Sequence, residues 1–243
     1  MSKEGNKEKG INKFIWGDGI EMVSEAVLKE KYIVWGQFFQ LTIANDCAWM
    51  RPEARIERRQ NTSTINSKKQ RTDAVIVMLN PGSCKPIIGS QFGEWTEAMP
   101  DKTQFQLMRL MEHMSWNEIK IVNLSDVCEG NSNEFSGLLK KCKDAGVVHS
   151  RFANDSVSEW SKVISSADRL LYGWGEKPEA KKMANAYGLL DLDTMLTTYG
   201  KKPIAVWHPV KGYPKHPYPW IPERCEAWLE DMVEILSEKR VLA

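Results

Sequence analysis

The stretch Ala74-Val75-Ile76-Val77-Met78-Leu79-Asn80-Pro81-Gly82 decides the fold class of this 243-residue chain. Its first six residues are apolar without interruption, which is typical of a strand buried on both faces in a parallel sheet covered by helices. The run ends at Asn80, where Pro81 fixes φ and removes a backbone donor, and Gly82 permits a positive φ. We therefore predict a buried strand that ends in a tight turn.

Apolar runs of the same kind recur further along the chain, and helical patterns alternate with them. Each run ends in polar or aromatic residues, and this alternation predicts parallel strands joined by right-handed helical crossovers. We predict an α/β fold, a three-layer α/β/α sandwich around a central, mostly parallel four-stranded sheet. The later predicted strands are residues 119–124, 169–175 and 204–207, and the predicted helices are 103–114, 157–165, 179–187 and 222–239.

The part of the chain before this core has a different character. We predict a disordered start over residues 1–12, an N-terminal extension over 13–72, and the α/β core over 73–243. The extension contains a predicted helix, aromatic and β-branched strand segments, and the most basic window of the chain, residues 51–71. Two interpretations of that window remain open, a solvated basic surface loop and a contact with a nucleic-acid backbone.

Composition excludes several classes of protein. The formal net charge is only +1, so no global basic field points to nucleic acid. The five cysteines are widely spaced without a Cys-x-x-Cys pair, so we predict reduced thiols, no metal and no cofactor. No apolar run approaches the roughly 20 residues that span a bilayer, and the polar start lacks a secretory apolar region. We expect a cytoplasmic protein without a membrane partner, and we make no prediction of its oligomeric state.

The candidate site follows from where the predicted strands end. Ligands of open parallel sheets bind at the carboxyl ends of the strands, and those ends carry Asn80, Asn123, Trp174 and His208. An Asn side chain can position a water or read an amide-like edge, and a histidine can donate to a developing anion. Each residue also has a purely structural interpretation, as a turn former, a satisfied strand-end Asn or a partly buried histidine.

Other candidates flank these strand ends. His216 lies in a His-Pro pair that repeats His208-Pro209, and the two histidines compete for one role. Phe92, between glycines, is a candidate for stacking on a flat ligand or for covering the core. We add candidates for binding a nucleic-acid backbone, namely Lys211, Lys215, Arg55, Arg58 and Arg59.

These landmarks resemble those of a bacterial family of unknown function, DUF1643. In that family a strand runs into Met-Leu-Asn-Pro, a later strand ends in Asn-Leu, and Trp-Gly and a late His-Pro follow. The corresponding residues here are 78–81, 123–124, 174–175 and 216–217. The similarity extends over about residues 30 to 220, and it implies no particular activity.

The same landmarks also resemble the uracil-DNA glycosylase superfamily. Residues 78–82 stand where some of its branches have Gly-x-Asn-Pro-Gly, with Met78 in place of the leading glycine. Asn123 stands where its middle strand ends in an Asn that reads the pyrimidine edge, and Gly173-Trp174-Gly175 fits a later strand end. The second motif of the superfamily is His-Pro-Ser-Pro. The residues His208-Pro209-Val210-Lys211 keep its His-Pro but lose its Ser-Pro.

The second resemblance implies a uracil-DNA glycosylase-like fold and a nucleic-acid base-processing function. The reaction would be hydrolysis of the N-glycosidic bond of a flipped uracil-like or modified base, with DNA or a nucleotide as partner. Asn80 would hold the attacking water, His208 would stabilise the departing base, and Pro81 and Gly82 would shape the binding loop. Two alternatives remain, a module that binds a nucleotide or modified base without cleaving it, and a protein-interaction adaptor with a Trp-rich surface.

Overall fold

The computed structural model describes residues 22–43, 46–59, 71–83, 86–87, 93–154 and 156–241. Helices and strands alternate from the middle of the described chain onward. In chain order the elements are α1 Glu25–Lys31, β1 Tyr32–Gln37, β2 Phe39–Ile43, β3 Asp46–Met50, β4 Glu53–Arg58, β5 Thr72–Met78, β6 Trp95–Glu97, α2 Lys102–Met114, β7 Glu118–Asn123, α3 Ser132–Asp144, α4 Ser156–Ser165, β8 Ala167–Tyr172, α5 Pro178–Ala186, α6 Leu192–Tyr199 and α7 Pro222–Val241.

The main sheet has six strands in the order β6-β1-β4-β7-β5-β8. β5 pairs in parallel with both β7 and β8, whereas β4, β1 and β6 extend the sheet by antiparallel pairing. The α/β class is confirmed, but the predicted four-stranded, mostly parallel sheet is wrong. The sheet is mixed because the segment before the core supplies two of its strands. β2 and β3 form a separate two-stranded hairpin.

The basic window is the part of the sequence that we interpreted incorrectly. Residues 53–58 form β4, which lies inside the main sheet between β1 and β7 rather than in a surface loop. Ala54 and Ile56 are fully buried and alternate with half-buried charged residues, which is the period-two pattern of a strand. The density of arginines concealed that alternation. Residues 60–70 of the window lie outside the described residues.

The predicted fourth parallel strand is also absent as a strand in the described part of the chain. Ile204 forms only an isolated parallel bridge with Leu171, although residues 204–206 are buried. The carbonyl of Val206 instead accepts from the N–H of Lys215, and the N–H of His208 donates to the carbonyl of Tyr213. The backbone groups that would extend the sheet are therefore used by the returning segment.

Helices cover both faces of the sheet. On one face, Ala74, Ile76 and Met78 of β5 pack in a core that includes residues of α1, α2 and α7. On the other face, Val75 and Val77 pack in a second core with residues of α3, α4, α5 and α6. The alternation of β5 side chains between two cores explains its unbroken apolar run, and the result is a three-layer arrangement. None of the described helices is long and apolar enough to cross a membrane.

An ionic cluster around Glu112 of α2 ties the helical layer to the N-terminal strands. The carboxylate accepts from Lys31 Nζ at 2.5 Å, Tyr32 Oη at 2.6 Å and Arg58 Nη1 at 2.7 Å. Burial by itself would raise the pKa of Glu112, but the hydrogen bonds from Lys31 and Tyr32 and the charge of Arg58 outweigh it, so the pKa lies below its ordinary value. The folded protein is therefore more stable when the Glu112 carboxyl group is ionised.

We predict that Glu112→Gln lowers the free energy of unfolding by about 2 kcal/mol at pH 7, because charge-assisted hydrogen bonds are lost. A lowered folded-state pKa stabilises the fold above the unfolded-state pKa, and that contribution disappears as the pH falls through the folded-state pKa. Urea unfolding of both proteins at pH 7 and at acidic pH measures the difference. Equal losses at both pH values would contradict an ionic role.

Candidate functional site

Three strand exits meet at one edge of the sheet, and β5 lies between the other two. The N–H groups of Leu124 and Ser125, after β7, donate to the carbonyls of Met78 and Leu79. On the other side, the N–H of Gly173 donates to the carbonyl of Val77 at 2.9 Å. The residues that follow the three strands are therefore held side by side by backbone hydrogen bonds.

The exits of β5 and β8 form a topological switch point. After β5 the next helix, reached through β6, is α2 on one face of the sheet, and after β8 the next helix is α5 on the other face. Neighbouring parallel strands whose connections depart to opposite faces leave a crevice between their carboxyl ends, where ligands of open α/β sheets bind. β5, the first of the three parallel strands in the chain, lies between β7 and β8, and this order creates the crevice.

A pocket of about 580 Å³ lies in this crevice. That volume is in the range of small-molecule and cofactor sites. Four of the predicted site residues line it, namely Asn80, Trp174, His208 and His216, together with the predicted backbone-binding residue Lys215. The remaining lining residues are Leu79, Ser132, Gly175, Glu176, Lys177, Tyr213, Tyr218, Pro219, Trp220, Arg224, Ala227 and Trp228.

Two glycines lie at the exits of β5 and β8, although neither of them lines the pocket, and Pro81 does not line it either. Gly82 has φ +67°, as the turn after Asn80-Pro81 requires. Gly173 permits close packing, since a Cβ there would lie 3.1 Å from both Met78 Sδ and Pro217 Cδ. The segment that carries His216 therefore packs directly on the end of β8.

The orientation of the Asn80 amide is set by the loop after β7. Its Nδ2 donates to the carbonyl oxygens of Glu129 at 2.5 Å and Val127 at 3.4 Å. Because both amide hydrogens have backbone acceptors, the Oδ1 atom is the acceptor that this side chain offers to a ligand. Asn80 is thus arranged to accept a hydrogen bond from a water or hydroxyl.

His208 is oriented by the turn that follows it. Its Nδ1 accepts from the backbone N–H groups of Val210 at 3.3 Å and Lys211 at 3.2 Å. In the neutral ring, an Nδ1 that accepts leaves the proton on Nε2, so the other nitrogen is a hydrogen-bond donor. The ring lies against Tyr213, with centroids 4.8 Å apart. The turn thus fixes the orientation of the His208 ring and leaves Nε2 as the nitrogen available to a ligand.

His216 also lines the pocket, but its Nδ1 is occupied. That nitrogen lies 3.0 Å from both the backbone N and O of Tyr218. Burial lowers the pKa of His216, against the raising effects of the Tyr218 backbone and of the Asp101 charge. The ring is accordingly neutral near pH 7. Both candidate histidines thus reach the pocket, and their positions alone do not decide between them.

Cationic side chains outnumber anionic ones along the pocket wall. The described lining residues include three cations, Lys177, Lys215 and Arg224, and one carboxylate, Glu176. A hydrogen bond from Lys211, at 3.2 Å, and its charge hold the pKa of Glu176 below its ordinary value. Lys211 therefore contributes to the electrostatics of the pocket through Glu176, and the balance of charge favours an anionic ligand.

Asn123, expected in the same pocket, is not among its lining residues. It is fully buried, and its Nδ2 donates to the carbonyl of Arg51 at 3.4 Å. Its side chain lies on the same face of β7 as Ile119 and Ile121, the face that α2 covers. The hydrogen bond to Arg51 connects β7 to the segment before β4. Phe92 lies outside the described residues.

The three arginines proposed to bind a backbone have partners elsewhere. Arg58 lies at the end of β4 beside the start of β7, about 20 Å along the strand from the pocket edge. It binds Glu112, and Arg59 pairs with Glu97 at 3.6 Å. Arg55 bonds to Glu53 and lies over the Trp95 ring. None of these three lines the pocket.

The aromatic rim of the pocket was missed as a site. Tyr213, Tyr218 and Trp220 come from the segment before α7, and Arg224 and Trp228 come from its first turns. The signal in the sequence was the cluster of aromatic residues, histidines and prolines over residues 213–222. The four-residue spacing of Arg224 and Trp228 puts both on one face of a helix.

Comparison of the chain with protein-family models, with curated proteins and with solved structures found no significant match. Within the described residues, no group of three or more His, Cys, Asp or Glu side chains is placed to bind a metal ion. The chemistry of the pocket therefore has to be argued from its own side chains.

We predict that Asn80→Asp destabilises the protein by about 1–3 kcal/mol at pH 7, because a carboxylate would face the carbonyls of Glu129 and Val127. Those carbonyls raise the folded-state pKa of the introduced carboxyl group, so the loss develops as the pH rises above about 4. Asn80→Ala should show a loss independent of pH. Chemical unfolding between pH 4 and 7 measures both, and wild-type stability of Asn80→Asp at pH 7 would contradict the amide orientation.

Proposed function

We propose that this protein processes nucleic-acid bases as a hydrolase similar to DNA glycosylases, cleaving the N-glycosidic bond of a flipped uracil-like or modified base. The observation that carries the proposal is the pairing of an oriented acceptor, Asn80 Oδ1, with an oriented imidazole, His208, in one pocket. Both orientations are set by backbone groups before any ligand binds, which is the property that electrostatic catalysis requires.

The reaction needs few groups. The bond between the sugar carbon and the base nitrogen breaks, the base departs with the electron pair, and a water oxygen bonds to the sugar carbon. The Nε2–H of His208 would donate to a base oxygen as negative charge develops there. Asn80 Oδ1 would accept from the water and hold it toward the sugar, a positioning role, since an amide is a poor base. The water gives up a proton and the departing base anion takes up a proton, so the products are the neutral base and a sugar that carries the new hydroxyl group.

The walls of the pocket suit this class of ligand. The half-buried Tyr213 provides aromatic surface, and three cationic residues, Lys177, Lys215 and Arg224, offer partners for phosphate groups. In a duplex the base must first leave the stack, at a cost of a few kcal/mol, and an unpaired base avoids most of that cost.

A second function is favoured by a different observation. Of the described residues that line the pocket, Glu176 is the one carboxylate, and it is held by Lys211. With no other carboxylate in the wall to take a proton from water, the same pocket would serve as a module that binds a nucleotide or modified base without cleaving it.

A base-release assay tests the enzymatic proposal. We expect the wild-type protein to release a base from at least one oligonucleotide of a panel carrying uracil, hypoxanthine, thymine mismatches or modified cytosines, in single- and double-stranded DNA and in RNA. His208→Ala should reduce the single-turnover rate about 100-fold or more, because one donor to the developing charge is lost. Asn80→Ala should reduce it to a similar degree.

Matched controls separate chemistry from folding. His113 is exposed on α2 and Asn185 is exposed on α5, and neither lines the pocket. His113→Ala and Asn185→Ala should therefore keep wild-type rates. If His216→Ala abolishes release while His208→Ala does not, the donor role belongs to His216. Binding of bases or nucleotides without release from any substrate would establish the binding module instead.

A further inference from the structure

Trp220 is the most exposed aromatic side chain among the pocket-lining residues. Its relative exposure is 82%, although tryptophan side chains are highly buried on average. The neighbouring Tyr218 ring meets it edge to face, with centroids 5.9 Å apart. The rest of the indole surface is therefore open at the rim of the pocket.

The backbone at Trp220 is held in an unfavourable conformation. Its φ is +66°, in the left-handed region that bulky residues rarely adopt. Pro219 precedes it, and α7 begins two residues later at Pro222. Burial does not compensate for the strain, because the side chain is exposed. A strained and exposed residue at a pocket rim is the pattern expected of a functional contact.

Cationic groups flank this aromatic surface. Arg224 lies four residues further on, in the first turns of α7, and Lys215 lines the same pocket. Lys215 Nζ is 3.5 Å from Asp231, whereas Arg224 has no ion-pair partner among the described residues. An aromatic face beside cations is the combination that binds unpaired bases together with their phosphates.

We propose that Trp220 is a stacking platform for the nucleotide next to the one whose base occupies the pocket, with Arg224 binding the intervening phosphate. The preferred ligand is then single-stranded nucleic acid, because stacking on Trp220 requires an unpaired neighbouring base. This inference rests on the proposed function, and it names the substrate class of the same site.

The test compares Trp220→Gly, Trp220→Phe and the wild-type protein. Gly adopts the positive φ without strain, so Trp220→Gly removes the indole while favouring the observed backbone. Leu196→Ala is the control, since Leu196 is also an exposed apolar residue but does not line the pocket. The probe is a fluorescein-labelled 10-nucleotide DNA of random sequence, single-stranded or annealed to its complement, measured by fluorescence anisotropy. A mixture of the four deoxynucleoside 5′-monophosphates competes for the pocket.

We expect Trp220→Gly to weaken single-strand binding about tenfold, Trp220→Phe to restore it to within about threefold of wild type, and Leu196→Ala to change nothing. Competition by the monophosphates should be the same in all four proteins. The Tm of Trp220→Gly should equal or exceed that of the wild type, which shows that the loss is not caused by unfolding.

Three results would overturn the inference. They are unchanged single-strand binding by Trp220→Gly, wild-type binding of duplex as tight as that of single strand, and wild-type binding of the decamer no tighter than that of the monophosphates. None of these results contradicts the proposed function, which the base-release assay tests separately. Wild-type binding of neither the decamer nor the monophosphates would instead overturn the proposed function itself.

Discussion

The parallel pairing of β5 with β7 on one side and β8 on the other is the constraint on which the rest of the structure depends. Both edges of β5 are hydrogen-bonded, and both of its faces are buried in separate cores. A strand in this position cannot shift its register by one residue without exchanging the contents of the two cores. Its end is consequently well defined, and so is the position of Asn80.

From that fixed position the pocket follows by geometry. The chain leaves β5 and β8 toward opposite faces, and the crevice between their ends is closed by the segment 206–216, which returns on itself through backbone hydrogen bonds. Backbone groups then orient the functional side chains. Two carbonyls hold the Asn80 amide, and two N–H groups hold the His208 ring. Such orientation before binding reduces the reorganisation that a reaction would need.

The electrostatics of the pocket divide into two zones. In the crevice, burial lowers the pKa of His216, and backbone N–H groups orient the His208 ring through its Nδ1. The cations Lys177 and Arg224 lie in the outer wall, where their charges remain partly solvated. A neutral interior with cationic surroundings is suited to a ligand whose base is uncharged and whose phosphates are anionic.

The sequence by itself determined the elements whose signals are local. The unbroken apolar run before Asn80 predicted a strand buried on both faces, and alternation of strands with helices predicted the α/β class. It also placed Asn80, Trp174 and His208 after apolar segments and singled out His216 in a repeated His-Pro pair, and these are the predicted residues that the pocket brings together.

Only the tertiary structure decided the features that depend on which segments meet. β4 is part of the sheet because it pairs with β7, which is distant in sequence. The arginines of β4 made its alternating burial pattern difficult to recognise in the sequence. Asn123 does not line the pocket because its side chain lies on the α2 face of β7, although its place at a strand end was predicted correctly. Ile204 bonds to β8, but the pairing stops at this bridge because the backbone groups of Val206 and His208 bond to the returning segment instead. The aromatic rim arose because the segment before α7 lies beside the strand exits, since periodicity records which residues are buried but not which of them meet.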